Sequence, residues 1–114
     1  MMFTQRILVF TLIIAVFLSA VAFATVNKTV AGKWKSSTGA TVTIPDVPGD
    51  FTIIYVHPNK HIDHYKAHWY SGEKGQRFWY KNESGKRFTC IVETATSIKV
   101  TDDTTHRVAT WNKL

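Results

Sequence analysis

The sequence predicts an all-β protein, a small antiparallel meander barrel of about seven or eight strands that follows an N-terminal signal peptide. Three observations lead to this prediction. Short segments rich in β-branched and aromatic residues recur along the chain, turn-forming residues divide them, and no helical pattern rich in Ala, Leu and Glu follows the N-terminal segment. Closely spaced strands joined by short turns are typical of a meander.

The N-terminal segment has the features of an export signal. Arg6 gives a positive start, Ile7 to Leu18 form an apolar run, and Ala22-Phe23-Ala24 matches the small-x-small rule for signal peptidase. A retained membrane anchor is the alternative, but the apolar run is short, whereas a spanning helix needs about 20 apolar residues. We therefore expect a signal peptide over residues 1–24, with cleavage after Ala24, and a periplasmic or extracellular location.

The remaining chain, residues 25–114, has the length of one small domain. Without Arg6 it keeps 13 of the 14 Lys and Arg residues against 8 Asp and Glu residues, a net charge near +5. A basic balance of this kind favours anionic surfaces such as cell-wall polymers or lipid head groups, although it also serves solubility alone. Cys90 is the single cysteine, so we expect no internal disulfide and regard this residue as a small core side chain.

Turn-forming sequences separate the predicted strands. "PDVPGD" (45–50), "NESG" (82–85), "TAT" (94–96) and "DTT" (103–105) are typical turn chemistry. In chain order, the predicted strands are "ATVTI" (40–44), "DFTIIYV" (50–56), "RFWYK" (77–81), "KRFTCIVE" (86–93), "SIKVTD" (97–102) and "HRVATW" (106–111). One segment between the second and third of these strands, residues 58–70, is ambiguous.

Residues 58–70 fit either a helix or a strand. In a helix that begins at Pro58, His64 and His68 lie four residues apart, a spacing that commonly chelates one metal ion. In a strand the same two histidines lie about 13 Å apart and cannot share an ion. The flanking elements are β, and the Pro58-Asn59 pair is typical of a turn, so we favour the strand.

The strand interpretation also assigns the neighbouring residues. "HPNKH" becomes the turn, so that His57 and His61 face each other across a hairpin. Tyr65, Ala67 and Trp69 then form the inward face of the strand.

The histidines are weak candidates for metal binding. His57, His61, His64 and His68 lie close together in the sequence, but Asp63 is the only nearby carboxylate and no cysteine completes a ligand set. We therefore expect no cofactor. If Zn, Cu or Ni binds, it should bind weakly through a pair, His57 with His61 in the hairpin or His64 with His68 in the helix.

Strand alternation identifies a candidate binding surface. In "QRFWYKN" the side chains of Phe78 and Tyr80 should point inward, which leaves Arg77, Trp79 and Lys81 pointing outward. A Trp between two cations can stack on a sugar ring while its neighbours meet phosphate or carboxylate. The alternative is that Trp79 packs beneath a loop.

The sequence "AGKWKSSTGATVTI" followed by "GDFTIIY" resembles the opening hairpin of the calycin superfamily, which includes lipocalins, fatty-acid-binding proteins and avidins. Gly32-Lys33-Trp34 matches the Gly-x-Trp signature of that superfamily. The resemblance implies that Trp34 closes one end of an antiparallel barrel and that Arg107 packs across it. The pattern is most similar to avidins, which implies ligand contacts at Ser36 and Tyr55.

These observations together predict an exported, non-enzymatic binding protein. The sequence contains no Gly-x-Ser-x-Gly, no His-Glu-x-x-His and no Gly-rich phosphate loop ahead of a helix. We expect recognition of a small molecule or of an anionic envelope component, through a shallow pocket or an aromatic-basic face. Two alternatives remain open: a secreted protein–protein interaction module of inhibitor or immunity type, and a weak transition-metal binder. Nucleic acid is not an expected partner, and we expect no transmembrane segment after cleavage.

Overall fold

The computed structural model describes residues 30–114, and the signal peptide predicted for residues 1–24 lies outside this part of the chain. The described residues form eight strands. In chain order these are β1 (Gly32–Ser36), β2 (Thr41–Ile44), β3 (Phe51–Val56), β4 (Ile62–Trp69), β5 (Arg77–Lys81), β6 (Arg87–Thr94), β7 (Ser97–Asp102) and β8 (Val108–Lys113). Within residues 30–114, no helix has the length and apolar character needed to cross a membrane.

The strands form one closed antiparallel sheet. Each strand pairs with the next, and β8 pairs back with β1, so the sheet closes into a barrel. The prediction of an all-β antiparallel meander barrel is therefore confirmed. A barrel of eight strands has an interior just wide enough for side chains or for one small ligand.

The ambiguous segment is a turn followed by a strand. In the turn, the His57 and Lys60 N–H groups donate to the carbonyls of His61 and His57, each at 2.8 Å, and Asn59 Oδ1 accepts the His61 N–H at 3.0 Å. In β4, Tyr65 and Ala67 are buried while His64 and Lys66 are exposed. This alternation with a period of two residues confirms the strand interpretation.

Inward side chains fill the barrel. The predicted inward residues Phe78, Tyr80 and Cys90 are all buried, and burial raises the pKa of the Cys90 thiol. The buried hydrophobic cluster comprises Val30, Trp34, Val42, Ile44, Phe51, Ile53, Tyr65, Ala67, Phe78, Tyr80, Cys90, Ile98, Val100 and Trp111. Cys90 is therefore a core residue, as expected.

Aromatic side chains seal one end of the barrel, which we call the closed end. Trp34 is 0% exposed, and its indole N–H donates to the Val30 carbonyl at 2.9 Å. Phe51 lies beside it in the core, with its ring 5.4 Å from Trp69 and 5.2 Å from Phe78. The cavity found beside these rings has a volume of only about 40 Å³.

The cation that covers Trp34 is Lys113, and the prediction for Arg107 is wrong. Lys113 Nζ lies 5.0 Å from the Trp34 ring centroid and donates to the Ala31 carbonyl at 2.6 Å. The register explains the difference, because Trp34 pairs with Lys113 at the end of β8, whereas Arg107 precedes the first residue of that strand. Arg107 is exposed at the opposite end of the barrel.

Four turns meet at this opposite end, which we call the open end. In a meander, every second turn lies at the same end of the sheet. The turns between β1 and β2, β3 and β4, β5 and β6, and β7 and β8 therefore surround one entrance. They comprise residues 37–40, 57–61, 82–86 and 103–107.

Candidate functional site

A pocket of about 250 Å³ lies at the open end of the barrel. Its volume exceeds the roughly 150 Å³ that accommodates benzene in an engineered protein cavity, and it falls below the roughly 300–1,000 Å³ typical of drug-sized ligands. A single ring with a short substituent is the size that fits. The pocket is lined by Ser36, Thr38, Tyr55, Tyr80, Phe88, Val100, Asp102, Arg107, Val108, Ala109 and Trp111.

Aromatic rings provide the apolar surface of the pocket. The Tyr80 ring stacks on Phe88 at 5.1 Å and 16°, and on Trp111 at 6.0 Å and 28°. On its other side Tyr80 stacks on Tyr65 at 5.5 Å and 13°. Parallel rings of this kind favour a planar apolar guest that extends the stack.

The Tyr80 hydroxyl has no hydrogen-bond partner within residues 30–114, although the residue is only 4% exposed. No side-chain nitrogen or oxygen of these residues is both fully buried and unpartnered, so this hydroxyl keeps some accessible surface, and Tyr80 is one of the residues that line the pocket. Burial raises the pKa of Tyr80, which keeps the phenol neutral and able to donate. Buried polar groups are normally hydrogen-bonded, and an unpartnered one at a pocket indicates a place for a ligand or water.

Ser36 and Tyr55, the two ligand positions implied by the calycin resemblance, line this same pocket. Ser36 Oγ and Thr38 Oγ1 lie 2.8 Å apart, and Ser36 Oγ also accepts the Thr38 N–H at 3.2 Å. Only one of the two hydroxyls donates in the bond between Ser36 and Thr38, so the proton of the other hydroxyl is available to a ligand. The Tyr55 hydroxyl has no partner among the described residues and adds a further donor.

Two opposite charges stand at the rim of the pocket. The Asp102 N–H donates to the Arg107 carbonyl at 2.9 Å across the turn between β7 and β8. Asp102 Oδ1 accepts the N–H groups of Thr104 at 2.9 Å and Thr105 at 3.2 Å, and the Thr104 bond is the largest cause of the lowered pKa of Asp102. The Arg107 guanidinium makes no ion pair with any of residues 30–114.

A second polar cluster lies beside the pocket, at the turn between β3 and β4. His57 Nε2 lies 2.7 Å from Asp63 Oδ2, and His61 Nε2 lies 3.2 Å from Asp63 Oδ1. The hydrogen bond from His57 is the largest cause of the lowered pKa of Asp63. The His57 ring also lies 4.8 Å from Tyr55, which connects this cluster to the wall of the pocket.

Tyr65 extends the cluster to the next turn. Its hydroxyl lies 2.5 Å from Glu83 Oε2 and 3.0 Å from Asp63 Oδ2. Burial, followed by the bond to Glu83, raises the pKa of Tyr65, while the same bond lowers the pKa of Glu83. The turn between β5 and β6 is thus tied to the turn between β3 and β4.

The four clustered histidines occupy three places in the fold. His57 and His61 face each other across the hairpin at 5.7 Å, as the strand interpretation predicts, and both share Asp63. His64 is exposed on the outer face of β4, and His68 Nδ1 bonds to Asp50 Oδ2 at 2.8 Å near the closed end. Within residues 30–114 no group of three or more His, Cys, Asp or Glu side chains has the arrangement of a metal site.

The predicted outward row on β5 is largely paired with its neighbours. Arg77 bonds to Glu73 at 2.8 Å, and Lys81 is exposed. The cation over Trp79 is Arg87, from β6, at 4.3 Å, and the His68 ring, from β4, lies 4.6 Å away. Side chains from adjacent strands reach this ring more closely than residues two positions along the same strand, which lie about 7 Å apart.

A wider depression of about 430 Å³ lies near the closed end, under the loop between β2 and β3. Two of its polar side chains, Asp50 and His68, bond to each other at 2.8 Å. The smaller pocket at the open end is the stronger candidate, because buried side chains of the barrel interior form its walls and the Tyr55 and Tyr80 hydroxyls have no hydrogen-bond partner among residues 30–114.

Sequence reasoning missed several residues of this pocket. Tyr80 was identified as inward, but nothing in the sequence shows that its hydroxyl lacks a partner. Asp102 and Arg107 lie on either side of the "DTT" turn. Pairing the residues on the two sides of that predicted turn would have placed them opposite each other.

Comparison of the chain with protein-family models, with curated proteins and with solved structures finds no match. The class of protein is therefore described by its fold and its pocket alone. It is a closed eight-stranded antiparallel barrel that is sealed at one end and has a partly apolar pocket at the other.

Proposed function

We propose that this protein is an exported, non-enzymatic binding protein that holds a small ligand in the pocket at the open end of the barrel. The observation that carries the proposal is the hydroxyl of the largely buried Tyr80, which has no hydrogen-bond partner among residues 30–114 and belongs to a residue that lines the pocket. A ligand that accepts this hydrogen bond would restore the pairing that buried polar groups normally have.

The calycin relationship is part of this proposal. Ser36 and Tyr55, which that relationship implies as ligand contacts, line one pocket, and Trp34 lies at the sealed end. These placements support the relationship, and the binding role of the two residues remains a prediction.

A non-catalytic role is supported by the chemistry of the lining residues. Ser36 pairs with Thr38, and the carboxylate that lines the pocket, Asp102, accepts N–H groups of the turn between β7 and β8 instead of bonding to Ser36. Nucleophilic catalysis by a hydroxyl requires a base within hydrogen-bond reach. The pocket residues thus supply donors and stacking surfaces for binding.

The other functions have less support. On the aromatic-basic face, Arg77 and Trp79 already contact neighbouring side chains, so an anionic envelope component finds mainly Lys81 there. For a protein partner, only Ile54 and Ile62 among the exposed large apolar side chains of the described residues lie on adjacent strands. For a metal ion, the paired imidazoles of the hairpin already share Asp63.

Indole, a neutral planar probe, tests the pocket. Its addition should shift the NMR signal of the Trp111 indole N–H in a saturable manner. Ala109→Phe fills the pocket from β8 and should abolish this shift, as should Val108→Trp at the rim. Ala95→Phe, in the turn at the closed end, is the matched control and should keep it. A saturable shift that survives both pocket variants would contradict the proposal.

Export is tested by the mass of the protein recovered outside the cytoplasm. We expect a chain that begins at Thr25. Recovery of the intact chain in the membrane fraction alone would refute the signal peptide and favour a retained anchor.

A further inference from the structure

We infer that the ligand of the open-end pocket is a small aromatic zwitterion, with the ring, ammonium and carboxylate chemistry of an aromatic amino acid. The inference rests on the proposed function and on the presence of two opposite charges in the same pocket as aromatic rings. A carboxylate, Asp102, and a guanidinium, Arg107, form no ion pair with any of residues 30–114 and line the same pocket as a group of stacked aromatic rings.

The register of β7 and β8 places the two charges on the pocket side. Val100 pairs with Ala109, and the pairing continues to Asp102 and Arg107, whose backbone groups bond at 2.9 Å. Residues two apart on a strand share a face, so Asp102 follows Val100 toward the pocket, and Arg107, which directly precedes β8, also lines it. Opposite residues of an antiparallel pair have Cβ atoms about 4.5–5.5 Å apart, a separation that one amino-acid head group spans.

Neither Asp102 nor Arg107 forms an ion pair within residues 30–114 that a charged ligand would have to break. Asp102 Oδ1 accepts two turn N–H groups, and a hydrogen bond from the Thr105 side chain further lowers the pKa of Asp102, so the carboxylate is held at the turn and keeps its negative charge. The two side chains do not form an ion pair with each other, and Arg107 forms none with any other described residue. Lys86, in the turn between β5 and β6, also acts electrostatically on Asp102.

A ligand with a single charge fits this rim poorly. A carboxylate that binds Arg107 alone would face the like charge of Asp102, and an amine that binds Asp102 alone would face Arg107. Like charges placed together at an interface are unfavourable. A zwitterion places its ammonium on Asp102 and its carboxylate on Arg107, where a bidentate contact is strong.

The pocket below the rim fits the rest of such a molecule. The stacked Tyr80, Phe88 and Trp111 rings accept an aromatic side chain, and the volume of about 250 Å³ suits one ring with a short backbone. The free hydroxyl donor of the Ser36 and Thr38 pair is available to the ligand carboxylate.

Four probes that share a phenyl ring test the inference by NMR titration. They are L-phenylalanine with both charges, 3-phenylpropionate with the anion, phenethylamine with the cation, and 2-phenylethanol with neither. We expect L-phenylalanine to bind at least about tenfold more tightly than each of the others, the effect of one charge-assisted hydrogen bond.

Three variants locate the charges. Asp102→Asn keeps the oxygen that accepts the turn N–H groups but removes the charge, and Arg107→Gln changes an exposed side chain, so both should fold. Each should lose the preference for L-phenylalanine. Lys99→Gln removes a charge from the outer face of β7 and is the control, in which the preference should persist.

The outcomes separate this inference from the function on which it rests. If 2-phenylethanol, 3-phenylpropionate or phenethylamine binds as tightly as L-phenylalanine, or if neither pocket variant changes the order, the zwitterion is wrong while the binding pocket stands. If no phenyl probe and no indole binds in a saturable manner, both the ligand class and the binding function are refuted.

Discussion

Tyr80 has two separable parts, a ring that packs and a hydroxyl that lacks a partner in the described chain. Its ring stacks on Tyr65 and Phe88, while its hydroxyl faces the pocket. Stability and ligand binding should therefore respond differently to loss of the oxygen atom alone.

We predict that Tyr80→Phe leaves the free energy of unfolding within about 0.5 kcal/mol of the wild-type value, because no bond within the described chain is lost. Ligand affinity should fall by roughly 2- to 10-fold, the effect of one neutral hydrogen bond. Urea denaturation and titration with the tightest phenyl probe measure the two effects.

The matched control for this substitution is Tyr65→Phe. Its hydroxyl contacts Glu83 and Asp63, so its removal should lower the free energy of unfolding by about 1 kcal/mol. Greater destabilisation by Tyr80→Phe than by Tyr65→Phe would show that the Tyr80 hydroxyl has a partner after all.

Asp63 makes the stability of the barrel depend on acid. Its pKa lies below the ordinary value of 3.8, first because of the hydrogen bond from His57. As the pH falls through 3.8, the unfolded chain takes up a proton that the folded chain still resists, so stability decreases. This contribution is complete above the ordinary pKa and disappears once the pH passes below the folded pKa.

We predict that Asp63→Asn flattens the dependence of the melting temperature on pH below about pH 5. Circular dichroism at several pH values provides the measurement. Asn59→Ala weakens the same turn without changing a titrating group, so it should lower the melting temperature equally at each pH. An unchanged slope in Asp63→Asn would mean that other carboxylates account for the acid sensitivity.

At the scale of elements, the turns of the open end contact each other. Gly39, between β1 and β2, has a φ of +96°, and a Cβ at this position would lie 3.3 Å from Pro58 Cγ in the turn between β3 and β4. Gly72 also has a positive φ, but a Cβ there would meet nothing within 4 Å. The two glycines share a backbone requirement, and only Gly39 has a close neighbour.

We predict that Gly72→Ala costs about 1–2 kcal/mol, the penalty for a left-handed backbone with a Cβ, and that Gly39→Ala costs more. The additional cost arises because Pro58 must move. Thermal unfolding of the two variants provides the comparison. An equal loss in both would show that the turns adjust freely.

The sequence predicts these elements well wherever hydrophobic side chains alternate. β5 and β6 alternate clearly, and β4 was recognised because the Pro58-Asn59 turn and the β flanks outweighed a helical spacing of histidines. The role of Arg107 was misassigned because it depends on the pairing of the first strand with the last. That register, which brings Lys113 to Trp34, is set by the closure of the whole barrel.

The candidate site was predicted less completely. Ser36 and Tyr55 were identified through a family resemblance, and they line the pocket. The contribution of Tyr80 depends on which hydroxyls find partners after the barrel closes, and residue types do not contain that information. The position of Arg87 over Trp79 could not be predicted for a similar reason, because it depends on how β5 and β6 lie beside each other in the folded sheet.

At the scale of the whole molecule, the closed end supplies the stability and the open end supplies the pocket. Trp34 is the largest side chain with 0% exposure, and it contacts Val30, the first described residue, and Lys113, near the end of β8. Removing its side chain would affect both ends of the described chain at once.

We predict that Trp34→Ala lowers the free energy of unfolding by about 3–5 kcal/mol, as core aromatic truncations do. Trp79→Ala, on the outer face, should cost less than half of that, because Trp79 is only partly buried. Urea denaturation followed by circular dichroism compares the two. Similar losses would show that the outer face contributes as much as the sealed core.

The pairing of β1 with β8 also has a consequence for how the barrel forms. Every other pair of strands joins neighbours in the chain, whereas this one joins Trp34 to Lys113 across nearly the whole described sequence. Long-range contacts of this kind form slowly, since the loop between them must close first. The hairpins can therefore assemble before this seam does, and until it closes β1 and β8 present two unpaired edges, which are templates for aggregation. Substitutions of the exposed seam residues Lys35 and Asn112 should consequently affect the yield of folded protein more than its final stability.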